Sequence, residues 1–144
     1  MPGIREITER GIAAFNAHDG EAIESLYAND AVCTAPGEIT ATGPAQIRQF
    51  MESWFTAFPD AHSRVTALHY CDDEVSVEEG VFEGTHDGVF RTPMGDIQPT
   101  HRRVQGQYVN VVTIRNGQAV SQRLVFDRLQ LLEQLGLVPT PATV

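Results

Sequence analysis

A chain of 144 residues suits one domain, and a domain of that size buries about 68–70% of its unfolded surface, so no metal or disulfide is needed to hold it together. Its 10 Lys and Arg against 19 Asp and Glu give a net charge of −9, with no basic run and no basic–aromatic interleaving, which argues against nucleic acid and anionic membrane surfaces as partners. Residues 1–15 lack the apolar core of a secretion signal and no stretch approaches the ~18 apolar residues of a membrane helix; Cys33 and Cys71 form no CxxC pair and are read as buried free thiols in a cytoplasmic protein.

Ile4, Ile7, Ile12 and Phe15 recur at helical spacing and predict a first helix over 4–16. Asn16-Ala17-His18-Asp19-Gly20 breaks it, and Asp19 is placed to cap a short second helix carrying Ile23, Leu26 and Tyr27. A short strand follows near 31–35 and ends at Pro36-Gly37. Thr42-Gly43-Pro44 opens the clearest helix, because proline at the first helical position loses no hydrogen bond that would otherwise form. Ile47, Phe50, Met51, Trp54, Phe55 and Phe58 form its apolar stripe, and Pro59-Asp60 stops it.

From His62 onward the pattern is β. Segments 64–71 and 74–84 read as a hairpin across Asp72-Asp73, and 85–100, rich in Gly and Pro, as a loop or flap. Segments 102–115 and 118–127 read as a second hairpin whose Asn116-Gly117 turn is a strong two-residue hairpin signal. A short helix with Leu129, Leu132 and Leu135 ends at Gly136. Helices followed by a long antiparallel run argue for an α+β domain over 1–137, with the helices on one face of a sheet, and a loose tail over 138–144.

The two-residue turn sets a register in the absence of a bulge. Arg115 then faces Gln118, Asn110 faces Arg123, Tyr108 faces Val125 and Gly106 faces Asp127. One face of this hairpin mixes apolar groups with Tyr108, Asn110, Arg123 and Asp127, the mixture a small-molecule pocket uses. The other, with Val109, Val111, Val120, Leu124 and Phe126, is largely aliphatic. The helices can cover only one face, so a homodimer through the other is expected.

Asp127 stands out among the titratable residues. A carboxyl against apolar walls is disfavoured as an anion and becomes a usable acid or base near neutral pH. Asp127-Arg128-Leu129-Gln130 equally fits a helix cap with Gln130 at the third position. His86 and His101 flank the Gly/Pro loop within reach of a pocket mouth. Glu79 shares a strand face with Val75, Val77 and Val81, where a bulge or an edge would release it to water. Phe15, Trp54 and Phe58 are candidates for an aromatic pocket wall or for plain core. No histidines lie at metal-ligand spacing with a carboxylate, so no metal is expected. No GxSxG or phosphate-loop motif supports a covalent nucleophile or a nucleotide.

Four segments carry a family resemblance: Phe15-Asn16-Ala17-His18-Asp19, the helix opened by Gly43-Pro44, Gly84-Thr85-His86-Asp87-Gly88, and the ending Phe126-Asp127-Arg128-Leu129-Gln130-Leu131-Leu132-Glu133-Gln134-Leu135-Gly136-Leu137. Together they resemble the SnoaL-like polyketide cyclases, over nearly the whole chain, with the last segment the most specific. The resemblance implies an NTF2-like cone, related to ketosteroid isomerase: a curved antiparallel or mixed sheet with N-terminal helices on its concave face around a pocket. It implies a small apolar or aromatic polyketide-like substrate and a cofactor-free intramolecular aldol ring closure. In that chemistry an Asp on the last strand abstracts a proton beside a carbonyl, and Asp127 matches it. The family pairs this Asp with a His on the preceding strand, where this chain has Gly106, Tyr108 and Asn110. Tyr108 or Asn110 would then hold the enolate oxygen, or His86 or His101 would reach in from the loop. Three other outcomes stay open: a polyketide hydroxylase component, an epoxide hydrolase using Asn110, Arg123 and Asp127 to hold water, and a non-catalytic binding module.

Overall fold

The computed structural model describes residues 1–139; of the tail expected to be loose, 140–144 lie outside the described residues. Its main sheet has six strands in the order β2-β1-β8-β7-β4-β3. These are β1 (Tyr27–Ala35), β2 (Ile39–Thr42), β3 (His62–Cys71), β4 (Val75–Thr85), β7 (Arg103–Arg115) and β8 (Gln118–Phe126). All neighbours are antiparallel except β1 and β8, which run parallel. The expected loop over 85–100 contains a separate small hairpin of β5 (Phe90–Thr92) and β6 (Gly95–Ile97).

The helices lie where their stripes predict. Helix α1 (Ile4–Asn16) buries Ile4, Ile7 and Ala14, and α3 (Gly43–Ala57) buries Ile47, Met51 and Trp54. Short α2 (Gly20–Glu24) is capped by Asp19, whose side chain accepts from the Ala22 N–H at 3.0 Å. It ends before Tyr27, which begins β1. Helix α1 packs on β3 and β4 and α3 on β1 and β2, so the helices roof one sheet face.

Several of the distinctive sequence segments turn out to be joinery. Asn16 clamps the Ser63 backbone, accepting from its N–H at 2.8 Å and donating to its C=O at 3.0 Å. His18 stacks on Phe55 with centroids 4.3 Å apart and bonds the Ala61 carbonyl through Nε2 at 2.7 Å. Together these tie the end of α1 to the start of β3. Gly88 presses on α3, where a Cβ would collide with the Thr56 carbonyl oxygen.

Both hairpin turns have the left-handed geometry their residues favour. Asn116 and Gly117 have φ of 52° and 72°, and Asp72 and Asp73 have 52° and 54°. Cys71 is exposed rather than buried, since it is the last residue of an edge strand; Cys33, wholly buried, has its thiol pushed up to about 12 by desolvation.

His86 is fully buried beneath the flap, between Phe58 and Phe90. Its Nδ1 accepts from the Thr100 backbone N–H at 3.1 Å, which leaves the proton on Nε2, and Nε2 has no hydrogen-bond partner. Burial therefore lowers its pKa from the ordinary 6.5, with the nearby His101 adding to the effect and Asp87 opposing it. The unfolded chain thus binds a proton more readily than the folded one. Stability is present in full above 6.5 and falls as pH drops below it toward the folded value, by up to ~1.4 kcal/mol per pH unit within that window. Urea midpoints measured across pH 5–8 should show this slope, and His86→Phe should flatten it.

Candidate active site

Between the helical roof and the sheet lies a cavity of about 150 Å³. Its walls come from every layer: Ile7 and Phe15 from α1, Met51 and Trp54 from α3, and the inward faces of β4, β7 and β8. Most of this lining is aliphatic or aromatic, the character of a site for an apolar small molecule.

The sheet contributes the polar groups, and their arrangement depends on one irregularity. Arg115 does face Gln118, but the ladder shifts between Thr113 and Ile114, so that Ile114 pairs with Ala119 and Thr113 with Ser121. Val120 is the extra residue. A one-residue slip sends every later side chain of β8 to the opposite face. Tyr108 therefore faces Phe126 instead of Val125, and Asn110 faces Leu124 instead of Arg123. Gln122, Leu124 and Phe126, expected outside, line the cavity; Arg123 and Val125 are exposed outside it.

The expected site residues separate accordingly. Phe15, Trp54, Tyr108, Asn110 and Asp127 line the cavity. Phe58 does not: it is 0% exposed and packed among Trp54, Phe82 and Phe90 in solid core. His86 is held away beneath the flap, and His101 lies exposed, its Nδ1 2.9 Å from Asp87. Arg123 is removed by the bulge, so the grouping of Asn110, Arg123 and Asp127 around one water does not form. Glu79 also points outward, half-exposed, against His69 at 2.6 Å.

Asp127 sits at the cavity mouth, in the step from β8 to α4 (Arg128–Gln134). It is an exposed residue, and its Oδ1 accepts from the Gln130 N–H at 3.0 Å, so it caps α4 while bordering the cavity. Gln134 docks the same helix on β7, accepting from the Gln105 N–H at 2.8 Å and donating to its carbonyl at 2.9 Å. Leu135 is buried and Gly136, at φ 76°, ends the helix. Much of the C-terminal signature thus serves to set Asp127 in place.

The polar side chain absent from the sequence reading is Glu78. It points inward from β4, paired with Asn110 of β7, and lines the cavity. It accepts from the Tyr108 hydroxyl. Desolvation raises its pKa above the ordinary carboxylate value, and the polar neighbours Tyr108 and Asn110 only partly offset the rise. Tyr108 is itself pushed up, by burial first and then by the Glu78 charge, so its phenol stays a donor. Room for the Tyr108 ring comes from Gly80 opposite it, where a Cβ would lie 2.5 Å from the hydroxyl oxygen. The signal for Glu78 lay in the alternation Ser76-Glu78-Gly80-Phe82, an inward set less apolar than the outward Val75-Val77-Glu79-Val81.

The chain matches the family model for SnoaL-like polyketide cyclase over residues 5–135. Among curated proteins none is significantly similar. Two solved structures share 25% identity with it. One is AclR from Streptomyces galilaeus, described as a candidate hydroxylase, with a TM-score of 0.78 over 94% of this chain and 86% of that one. The other is IdmH from Streptomyces antibioticus, described as a candidate polyketide cyclase, with a TM-score of 0.73 over 92% and 97%. A candidate SnoaL-like polyketide cyclase from Jannaschia sp. CCS1, at 19% identity, has the same fold, with a TM-score of 0.81 over 94% and 92%. The α+β cone with a curved sheet is therefore that of the NTF2-like and ketosteroid isomerase-like proteins. Among the described residues no helix is long and apolar enough to cross a membrane.

Proposed function

The chain belongs to the SnoaL-like polyketide cyclase family, and on that premise we propose that it closes a ring in a polyketide-like carbonyl compound by acid–base catalysis, without a cofactor. The observation that carries this reading is a mostly apolar cavity with a carboxyl group, Asp127, at its mouth. The Asp127 carboxylate takes a proton from the carbon beside a carbonyl. The C–H electron pair becomes an enolate, and the enolate carbon bonds to a second carbonyl carbon of the same molecule. That carbonyl oxygen then takes up a proton, so the product is an isomer of the substrate unless water is subsequently lost. Apolar walls favour the step by holding the two reacting carbons together and strengthening hydrogen bonds to the enolate oxygen. Phe15 and Trp54 provide flat surfaces for such a substrate.

The test is ring closure of a β-keto polyketide ester by the purified protein, without oxygen and with no added cofactor, followed by chromatography and mass. The reading requires a product of unchanged mass, or lighter by water. Hydroxylation, the reading that the AclR likeness favours, would instead require oxygen and add an oxygen atom to the product. Binding without turnover would leave a carrier module.

We also infer a homodimer through the outer sheet face. Val77, Val81, Val109 and Val111 are only half-buried there, and Val125 is 56% exposed. Arg64, Glu83 and Arg103, paired at 3.5 Å, and Arg123 lie around them, an apolar centre with a polar rim. Light scattering should return twice the chain mass of 15.8 kDa, and a monomer at micromolar concentration would overturn this inference.

A further inference from the structure

The proposed ring closure leaves one half-buried carboxyl group in the cavity, Glu78, without a task. Glu78 lies at the end of a run of polar side chains that are largely hydrogen-bonded to one another. The Tyr27 hydroxyl donates to Gln122 Oε1, and Gln122 Nε2 donates to Asn110 Oδ1 at 3.0 Å. The Tyr108 hydroxyl donates to Glu78, whose cross-strand partner is Asn110. All five residues line the cavity. They come from β1, β4, β7 and β8, so four strands converge on this point.

The Tyr108 hydroxyl does not saturate a carboxylate, which offers about four lone-pair sites. Around it the cavity walls are mostly apolar, including Leu26, Met51 and Val112, with the Ser63 and Ser76 hydroxyls as further polar groups. A ligand that fills this space and brings no donor displaces water from the carboxyl group and leaves it with fewer hydrogen bonds, which is costly. An ammonium group brings its own charge but loses a large hydration energy and needs several acceptors at once. A hydroxyl on an aromatic ring or an enol brings one polarised donor on an otherwise apolar body. Burial has already lifted Glu78 toward the acidity of such a group, which strengthens the hydrogen bond between them.

We propose that this end of the cavity is a binding subsite for the acidic hydroxyl of a phenolic or enolic ligand, with Glu78 as the acceptor and Tyr108, Asn110, Gln122 and Tyr27 holding it in place. The substrate class rests on the function proposed above; the subsite rests on the Glu78 network. Asp127 follows Phe126 of β8, which pairs with Tyr108 of β7, whereas Glu78 pairs with Asn110 of β7 from β4, two strands from β8. By strand geometry the two backbone positions are roughly 10 Å apart along the sheet and roughly 10 Å apart across it. A ligand engaging both is elongated, with its hydroxylated end at Glu78 and its reacting carbonyl at the mouth.

The test is binding, so it is independent of turnover. The purified protein is titrated with 2-naphthol, naphthalene and 1-naphthylmethylamine, using calorimetry or probe fluorescence. The expected result is that wild type binds 2-naphthol about tenfold more tightly than naphthalene, and that Glu78→Gln loses this preference while binding naphthalene at least as tightly as wild type, because no charge is left underbonded. Should Glu78→Gln not fold, Glu78→Asp, which withdraws the carboxylate by one methylene, should likewise lose the hydroxyl preference. Equal affinity of wild type for 2-naphthol and naphthalene, a preference that survives in the variant, or a preference for the amine would each overturn the proposal. A hydroxyl preference without any ring closure would refute the cyclase reading and leave this subsite standing.

Discussion

Asp127→Asn is expected to lower turnover about 10²–10⁴-fold while leaving the melting temperature where it was. The substitution separates two jobs that one carboxyl group holds. As a cap, Asp127 uses one oxygen, which accepts from the Gln130 N–H. Asparagine keeps that oxygen and ranks with aspartate at the N-cap, so α4 stays closed. As a base, the residue must take a proton from carbon, which a carboxamide cannot do at neutral pH. Asp127→Ala removes both functions and should add about 1 kcal/mol of lost stability. Turnover at saturating substrate and a thermal melt on the same samples decide the matter. Full activity in the Asn variant would leave Asp127 with its cap alone and take the base elsewhere in the cavity.

Phe58→Ala should cost about 3–5 kcal/mol, a large share of the ~5–15 kcal/mol that holds a domain together. Phe58 is 0% exposed, with ring neighbours Trp54, Phe82, His86 and Phe90 at centroid distances of 5.4–6.0 Å. Gly84 lies so close that a Cβ there would be 3.0 Å from the Phe58 Cβ. Removing the ring opens a hole that surrounding secondary structure cannot close. Because Phe58 is outside the cavity lining, ligand affinity per folded molecule should barely change. Urea unfolding read beside 2-naphthol binding checks both halves. A small stability loss with weakened binding would put Phe58 in the cavity wall after all.

Most individual elements were legible from local chemistry. The 3.6-residue stripe of Ile47, Met51 and Trp54 gives α3 one side to bury, and Pro44 marks its start. Asp19 and Asp127 each cap a helix, as short polar side chains before an apolar turn do. Asn116 and Gly117 tolerate positive φ and so close a hairpin. Strand β2, only four residues long, is too short to carry a periodic signal. The histidines misled because His86 and His101 bracket the flap in sequence, while their place in space depends on how the flap folds back on Phe58 and Phe90.

The site itself was half legible. Tyr108 and Asn110 alternate on a strand whose turn is recognisable, so their shared face followed. Arg123 failed because a single extra residue at Val120 inverts the rest of β8. Glu78 failed because the outward residues of β4 are the more apolar ones, so hydrophobicity alone pointed the wrong way.

The amino-acid order by itself determined the helices, the hairpin turns, the caps and the family, because each depends on residues within a few positions of one another or on their identity. Only the tertiary structure decided which carboxyl groups meet a ligand. The β4–β7 ladder turns Glu78 inward and Glu79 outward, and the bulge beside Ile114 exchanges Arg123 for Gln122. A strand has two faces, and which one meets the cavity is settled by the strands and helices packed against it.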